Sequence, residues 1–169
     1  MAIVKATYTK SSAGAKAAIR YIEHRPGKDG EKVTRNLFGL DGLMGRWQAN
    51  RMIDEAEKGS LFFRFVISPD PNREDTEKDL HLRDVTEQTM LRLEERLHKQ
   101  IAWVAAEHND HAPHRHIHVV AVVPGRLQVQ DLQAMRTTAT EAALAQRRER
   151  DVAREHTQHE QKKEAQWER

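Results

Sequence analysis

The sequence predicts an α+β domain, a central and mostly antiparallel sheet flanked by helices, on three observations. Residues 60–71, SLFFRFVISPDP, put Leu61, Phe63, Phe65 and Ile67 on one face of a strand that Pro69 and Pro71 end. Residues 82–100 carry Leu82, Val85, Met90, Leu93 and Leu97 at three- and four-residue steps, the period of an amphipathic helix. Residues 101–108 and 114–124 then read as two strands around a short polar loop. Both have apolar residues on each face, which places them in the middle of the sheet.

The other elements follow in order. Residues 1–9 alternate loosely and hold Ile3, Val4, Thr7 and Tyr8, which favour a strand. Ser11 or Ser12 caps an alanine-rich helix from about Ala13 to His24, and Pro26, Gly27 and Gly30 stop it. The stretch to Gly45 is glycine-rich and reads as a loop. Residues 46–59, RWQANRMIDEAEKG, give a short helix with Gly59 at its C-terminal end. From Asp131 the pattern is helical again, and after Ala145 it is mostly charge and glutamine with almost no apolar stripe. The expected organisation is a domain over residues 1–136 and a charged helical extension over 137–169. That extension reads as the start of a linker to a further C-terminal part.

Composition narrows the functional classes. The chain has no cysteine, which excludes disulfides and thiolate metal sites and suits a reducing cytoplasm. It has no run of roughly 18 apolar residues and no signal-peptide pattern, so a cytoplasmic protein without a membrane span is expected. The net charge of +2 conceals a gradient. Residues 1–36 hold eight Lys/Arg against three Asp/Glu, while residues 70–99 hold six against nine. A basic end beside an acidic middle fits a polyanion gripped on one surface.

Five of the ten histidines fall in EHNDHAPHRHIHVVAVV, residues 107–123. Alternation puts His114, His116 and His118 on one face of a strand and Ile117, Val119, Ala121 and Val123 on the other. On the preceding strand Ala102, Val104, Ala106 and His108 share a face. If the loop closes near Ala112, His108 lies across from His116, and His108, His116 and His118 converge above the sheet. Neutral imidazoles are good ligands for divalent ions. Three of them with positions left open describe a catalytic metal site more than a structural one. Asp110, two residues after His108, is placed to accept a hydrogen bond from a ligand ring and fix its tautomer. His114 shares the face and reads as a rim residue.

HND (residues 108–110) and RHIHVV (residues 115–120) resemble the third motif of conjugative relaxases, the HUH-type single-strand DNA nickases of the MOB class. FFRFVISPD resembles the second conserved strand of that family. AKAAIRYIEHR resembles its first motif, an alanine-rich helix that carries the nucleophilic tyrosine. These segments come in the family's order and cover about residues 1–125. The resemblance implies that Tyr21 attacks a phosphodiester and leaves a 5′-phosphotyrosine and a free 3′-hydroxyl. It implies that His108, His116 and His118 hold Mg²⁺ or Mn²⁺, although three imidazoles also suit Zn²⁺, Ni²⁺ or Co²⁺. The implied partner is single-stranded DNA at the transfer origin of a plasmid or integrative element in a bacterial cytoplasm, with accessory mobilisation proteins.

Of the two tyrosines, Tyr21 matches the family position; Tyr8, on the face of Val4 and Ala6, reads as a packed strand aromatic. Lys16, Arg20, Arg25 and Lys28 surround Tyr21 in sequence and are candidates to line a channel for the phosphate backbone. Arg64 and Arg115 are further candidates for phosphate contact. His24, His81, His98, His156 and His159 receive no role. Two alternatives compete. HRHIHVV satisfies the string of the histidine-triad nucleotide hydrolases, yet Arg115 stands where that family has a hydrophobe, and His108 and Asp110 go unexplained. A rolling-circle replication initiator would share the hairpin, but its tyrosine sits on a later helix, and the segment after Gly125 has none.

Overall fold

The computed structural model describes residues 1–109 and 114–167. Among them the chain forms β1 (Ile3–Thr9), α1 (Ser12–His24), β2 (Leu37–Gly39), β3 (Gly42–Met44), α2 (Arg46–Asp54), β4 (Leu61–Ser68), α3 (Leu82–Leu97), β5 (Trp103–His108), β6 (His116–Val123) and α4 (Val129–Trp167). The strands make one sheet in the order β1-β4-β6-β5-β2-β3, with every pair antiparallel. This is the expected α+β class, with β6 and β5 in the middle.

Alternation along the strands sorts side chains into two cores. Leu61, Phe63, Phe65, Ile67, Ile117, Val119, Ala121 and Val123 pack under α3 and α4, against Leu82, Val85, Met90, Leu93, Met135 and Ala139. On the other face Phe62, Val104, Ala106 and Val120 meet Ala15, Ala18, Ile19 and Ile22 of α1 and Ala49 and Ile53 of α2. Ser11 caps α1 by accepting from the Gly14 N–H at 3.0 Å. Ion pairs tie α1 to α2 at both ends, Lys16 to Asp54 at 2.6 Å and Glu23 to Arg46 at 2.7 Å. The two helices therefore run antiparallel on the same side of the sheet.

One expectation needs correcting. The glycine-rich stretch before Gly45 is not a loop throughout, because residues 37–44 form the β2–β3 hairpin that ends the sheet. Three-residue strands are too short for alternation to show, and Gly42 supplies the φ of 104° at the turn. Gly39 also admits close approach: a Cβ there would stand 2.8 Å from Met44 Cε and 3.1 Å from the Trp103 carbonyl.

At the opposite edge α4 lies along β1. Thr140 Oγ1 accepts from the Ala2 N–H at 2.9 Å, and Arg136 donates to the Val4 carbonyl from Nη2 at 3.2 Å. The buried face of α4 includes Ala139, Ala142, Ala143 and Arg147, whereas residues 151–167 are exposed throughout. Ending the chain at residue 150 is thus expected to leave the urea midpoint unchanged. Ending the chain at residue 136 strips Ala139, Ala142 and Ala143 from the core and should cost more than about 2 kcal/mol. Equal urea curves for the two truncations would refute this division of α4.

Candidate metal centre

β5 and β6 pair with His108 opposite His116 and Ala106 opposite His118. The ring centroids lie 4.3 Å apart for His108 and His118, 5.0 Å for His116 and His118, and 5.5 Å for His108 and His116. One ligating nitrogen from each ring falls within 4.8 Å of the others. The three rings share the sheet face that carries α1. Among the described residues they form a group that can hold a metal ion. His114 stays at the rim: its centroid is 6.5 Å from that of His116, and it is outside the group.

The state of the ring nitrogens fits a cation. His108 is fully buried and its Nε2 lies 2.9 Å from the Ile22 carbonyl, while its Nδ1 is buried without a partner. His118 Nε2 is buried and without a partner as well. Buried ring nitrogens without a partner on two converging rings are expensive unless a ligand uses them. Burial first, and then the positive charge of Arg35, push His108 down to about 4. Burial and the neighbouring His108 ring push His118 down to about 3. Both rings are therefore neutral at pH 7, the form that ligates metals.

The structure places the remaining expected residues as follows. Tyr21 is on α1, directly before Ile22, and is 43% exposed. The guanidinium carbons of Arg25 and Arg64 each stand 5.7 Å from its ring centroid. Both arginines also act through space on His118, so the tyrosine and the triad share one positive neighbourhood. Tyr8 is on the other face of the sheet, 5.2 Å from the Phe63 ring. Arg20 and Lys28 are exposed on and after α1. The Lys16 ammonium is taken up by Asp54. Arg115 is turned to the α3 side and is 14% exposed. It holds Asp75 through two bonds of 2.8 and 2.9 Å, Glu107 at 3.2 Å and the Leu80 carbonyl at 3.0 Å. Asp110 falls outside the described residues.

Two contributors carry no signal of their role in the sequence. Arg35, 9% exposed, donates to the Arg25 carbonyl at 2.8 Å and its N–H to the Glu23 carbonyl at 2.9 Å, so it fixes the end of α1 beside His108. The second is the Ile22 carbonyl, which lies 2.9 Å from His108 Nε2 and orients that ring. His24, given no role, joins a small network with Glu23, Arg46 and Thr34. No protein-family model, curated protein or solved structure matches the chain. Among the described residues no helix is long and apolar enough to cross a membrane.

Two measurements follow from this geometry. A divalent ion that binds only the folded chain raises its stability by about 2.7 kcal/mol at a hundredfold excess over Kd. Mn²⁺ or Zn²⁺ should raise Tm in the wild type and leave His116→Ala unmoved; equal shifts in both would place the ion elsewhere. The second concerns protons. Unfolded histidine titrates near 6.5, so between that value and about 4 the unfolded chain binds more protons than the folded one. Stability in metal-free buffer is therefore complete above about pH 6.5 and is lost as pH falls toward 4. His118→Gln should flatten that decline, and an unchanged slope would acquit the ring.

Proposed function

We propose that the protein is a metal-dependent single-strand DNA nickase of the relaxase kind, acting at a transfer origin in conjugative mobilisation. The observation that carries this reading is the meeting of Tyr21, Arg25 and Arg64 beside the His108–His116–His118 group. A phenol with two guanidiniums within 5.7 Å of its ring, near a candidate cation site, is suited to attack on a phosphodiester. Tyr8 lies across the sheet, which favours Tyr21 over it.

In this mechanism the scissile phosphate sits between the triad and Tyr21. A bound divalent ion supplies Lewis-acid neutralisation of charge on the phosphate. Arg25 and Arg64 hold non-bridging oxygens and orient the phosphorus toward Tyr21. The Tyr21 Oη–P bond forms as the P–O3′ bond breaks, the phenol gives up its proton and the departing 3′-oxygen takes one to become a hydroxyl. One phosphodiester bond is exchanged for another, so a later 3′-hydroxyl can reverse the step without a nucleotide cofactor. By resemblance the ion is Mg²⁺ or Mn²⁺; the all-imidazole set also accommodates Zn²⁺, Ni²⁺ and Co²⁺. Arg20, exposed in the last turns of α1, and Lys28, exposed in the segment after it, would continue the path of the DNA backbone. The histidine-triad hydrolase reading draws less support, because the grouped rings are His108, His116 and His118 and not the consecutive string that includes His114.

The test is a denaturing gel. Purified protein is mixed with a diverse pool of labelled single-stranded oligonucleotides and Mn²⁺, alongside Tyr21→Phe, Tyr8→Phe and His116→Ala. A covalent adduct is expected from the wild type and Tyr8→Phe, reduced by at least about 10³-fold in Tyr21→Phe. An adduct that survives Tyr21→Phe and disappears in Tyr8→Phe would move the nucleophile to the far face and overturn the reading.

A further inference from the structure

Among the carbonyls that the end of α1 leaves without a helical donor is that of Ile22. In an α-helix the Ile22 carbonyl would accept from the N–H of residue 26, and that residue is Pro26, which has none. A proline also drives the residue before it out of the helical region. Arg25 accordingly adopts φ −50° and ψ 127°, and its N–H closes α1 on the Tyr21 carbonyl at 2.8 Å. The next carbonyl along, that of Ile22, is met by His108 Nε2 at 2.9 Å, a contact between residues 86 apart in sequence. A carbonyl only accepts, so Nε2 carries the hydrogen and Nδ1 the lone pair. That Nδ1 is the buried atom without a partner.

We propose that His108 is a positioning residue as well as a ligand: it takes the cation through Nδ1 and, through Nε2–H and the carbonyl that Pro26 frees, couples cation occupancy to the placement of the helix carrying Tyr21. This rests on the triad being a metal site and not on the nickase chemistry. A cation on Nδ1 withdraws charge from the ring and makes Nε2–H a stronger donor to Ile22. The bond in turn makes the ring a better ligand. The coupling is reciprocal, so whatever tightens the last turn of α1 tightens the cation. Tyr21 is the residue before Ile22 and moves with it.

The decisive variant is Pro26→Ala in the full chain. It removes no ligand and no core residue, since Pro26 is exposed. It supplies an N–H at residue 26 and releases Arg25 to continue the helix, so the Ile22 carbonyl gains a donor that competes with the His108 ring. Titration calorimetry with Mn²⁺ and with Zn²⁺ should show binding about 10- to 100-fold weaker than in the wild type. Amide hydrogen exchange should slow in the last turn of α1 when Mn²⁺ is added to the wild type, and not in Pro26→Ala. Wild-type affinity together with equal slowing of α1 in the variant would overturn the coupling while leaving the metal site standing. Failure of the wild type to bind either ion would remove the metal reading itself, and the proposal with it. A readout independent of any variant is the ring ¹⁵N spectrum of His108 in the unsubstituted protein: the Nε2–H tautomer is expected, and Nδ1–H would refute the assignment.

Discussion

The registration of β5 against β6 is the constraint on which the site depends. With His108 opposite His116, the side-chain period of two sends both rings and His118 to the α1 face, and Ile117, Val119 and Ala121 to the core under α3 and α4. A slip of one residue would turn the three imidazoles into the core of Leu82, Val85 and Leu93, and Ile117, Val119 and Ala121 toward α1. The valine-rich face is thus what holds the polar face in place. Packing on one side of the sheet sets the geometry of the chemistry on the other.

Among the described residues, the arginines that act on His108 and His118 surround them with positive charge. Arg25 and Arg35 act on His108, and Arg25 and Arg64 on His118. A cation entering the group meets that repulsion, and an anion lying between the cation and the arginines relieves it. Cation and anionic ligand are therefore expected to favour each other's binding.

How much of this the sequence displays depends on the range of the interactions involved. The convergence of His108, His116 and His118 is legible because it needs only strand alternation and a short hairpin. The strand of Leu61, Phe63 and Phe65 and the helix of Leu82 to Leu97 are legible for the same reason, as both repeat their pattern over several residues. The β2–β3 hairpin is hidden because Phe38 and its neighbours are held by pairing with β5, not by a local pattern. The fates of Lys16 and Arg115 are hidden too: a basic side chain does not announce whether Asp54 or Asp75 will claim it. Arg35 and the Ile22 carbonyl reach His108 from other parts of the chain. Pro26 is the one visible sign: it stops the helix, and in doing so withholds a helical donor from the carbonyl four residues earlier.

The contact of α4 with β1 has a consequence for how the molecule behaves in a crowd. Arg136 and Thr140 are one helical turn apart, and they engage the Val4 carbonyl and the Ala2 N–H, two outward-facing groups on the unpaired side of β1. An open strand edge is a template on which foreign chains add. Here a helix occupies part of that template with side chains, and the other border of the sheet is the three-residue β3. The α4 contact thus blocks the start of β1, and the other border is only three residues long, which narrows the room for edge-to-edge pairing.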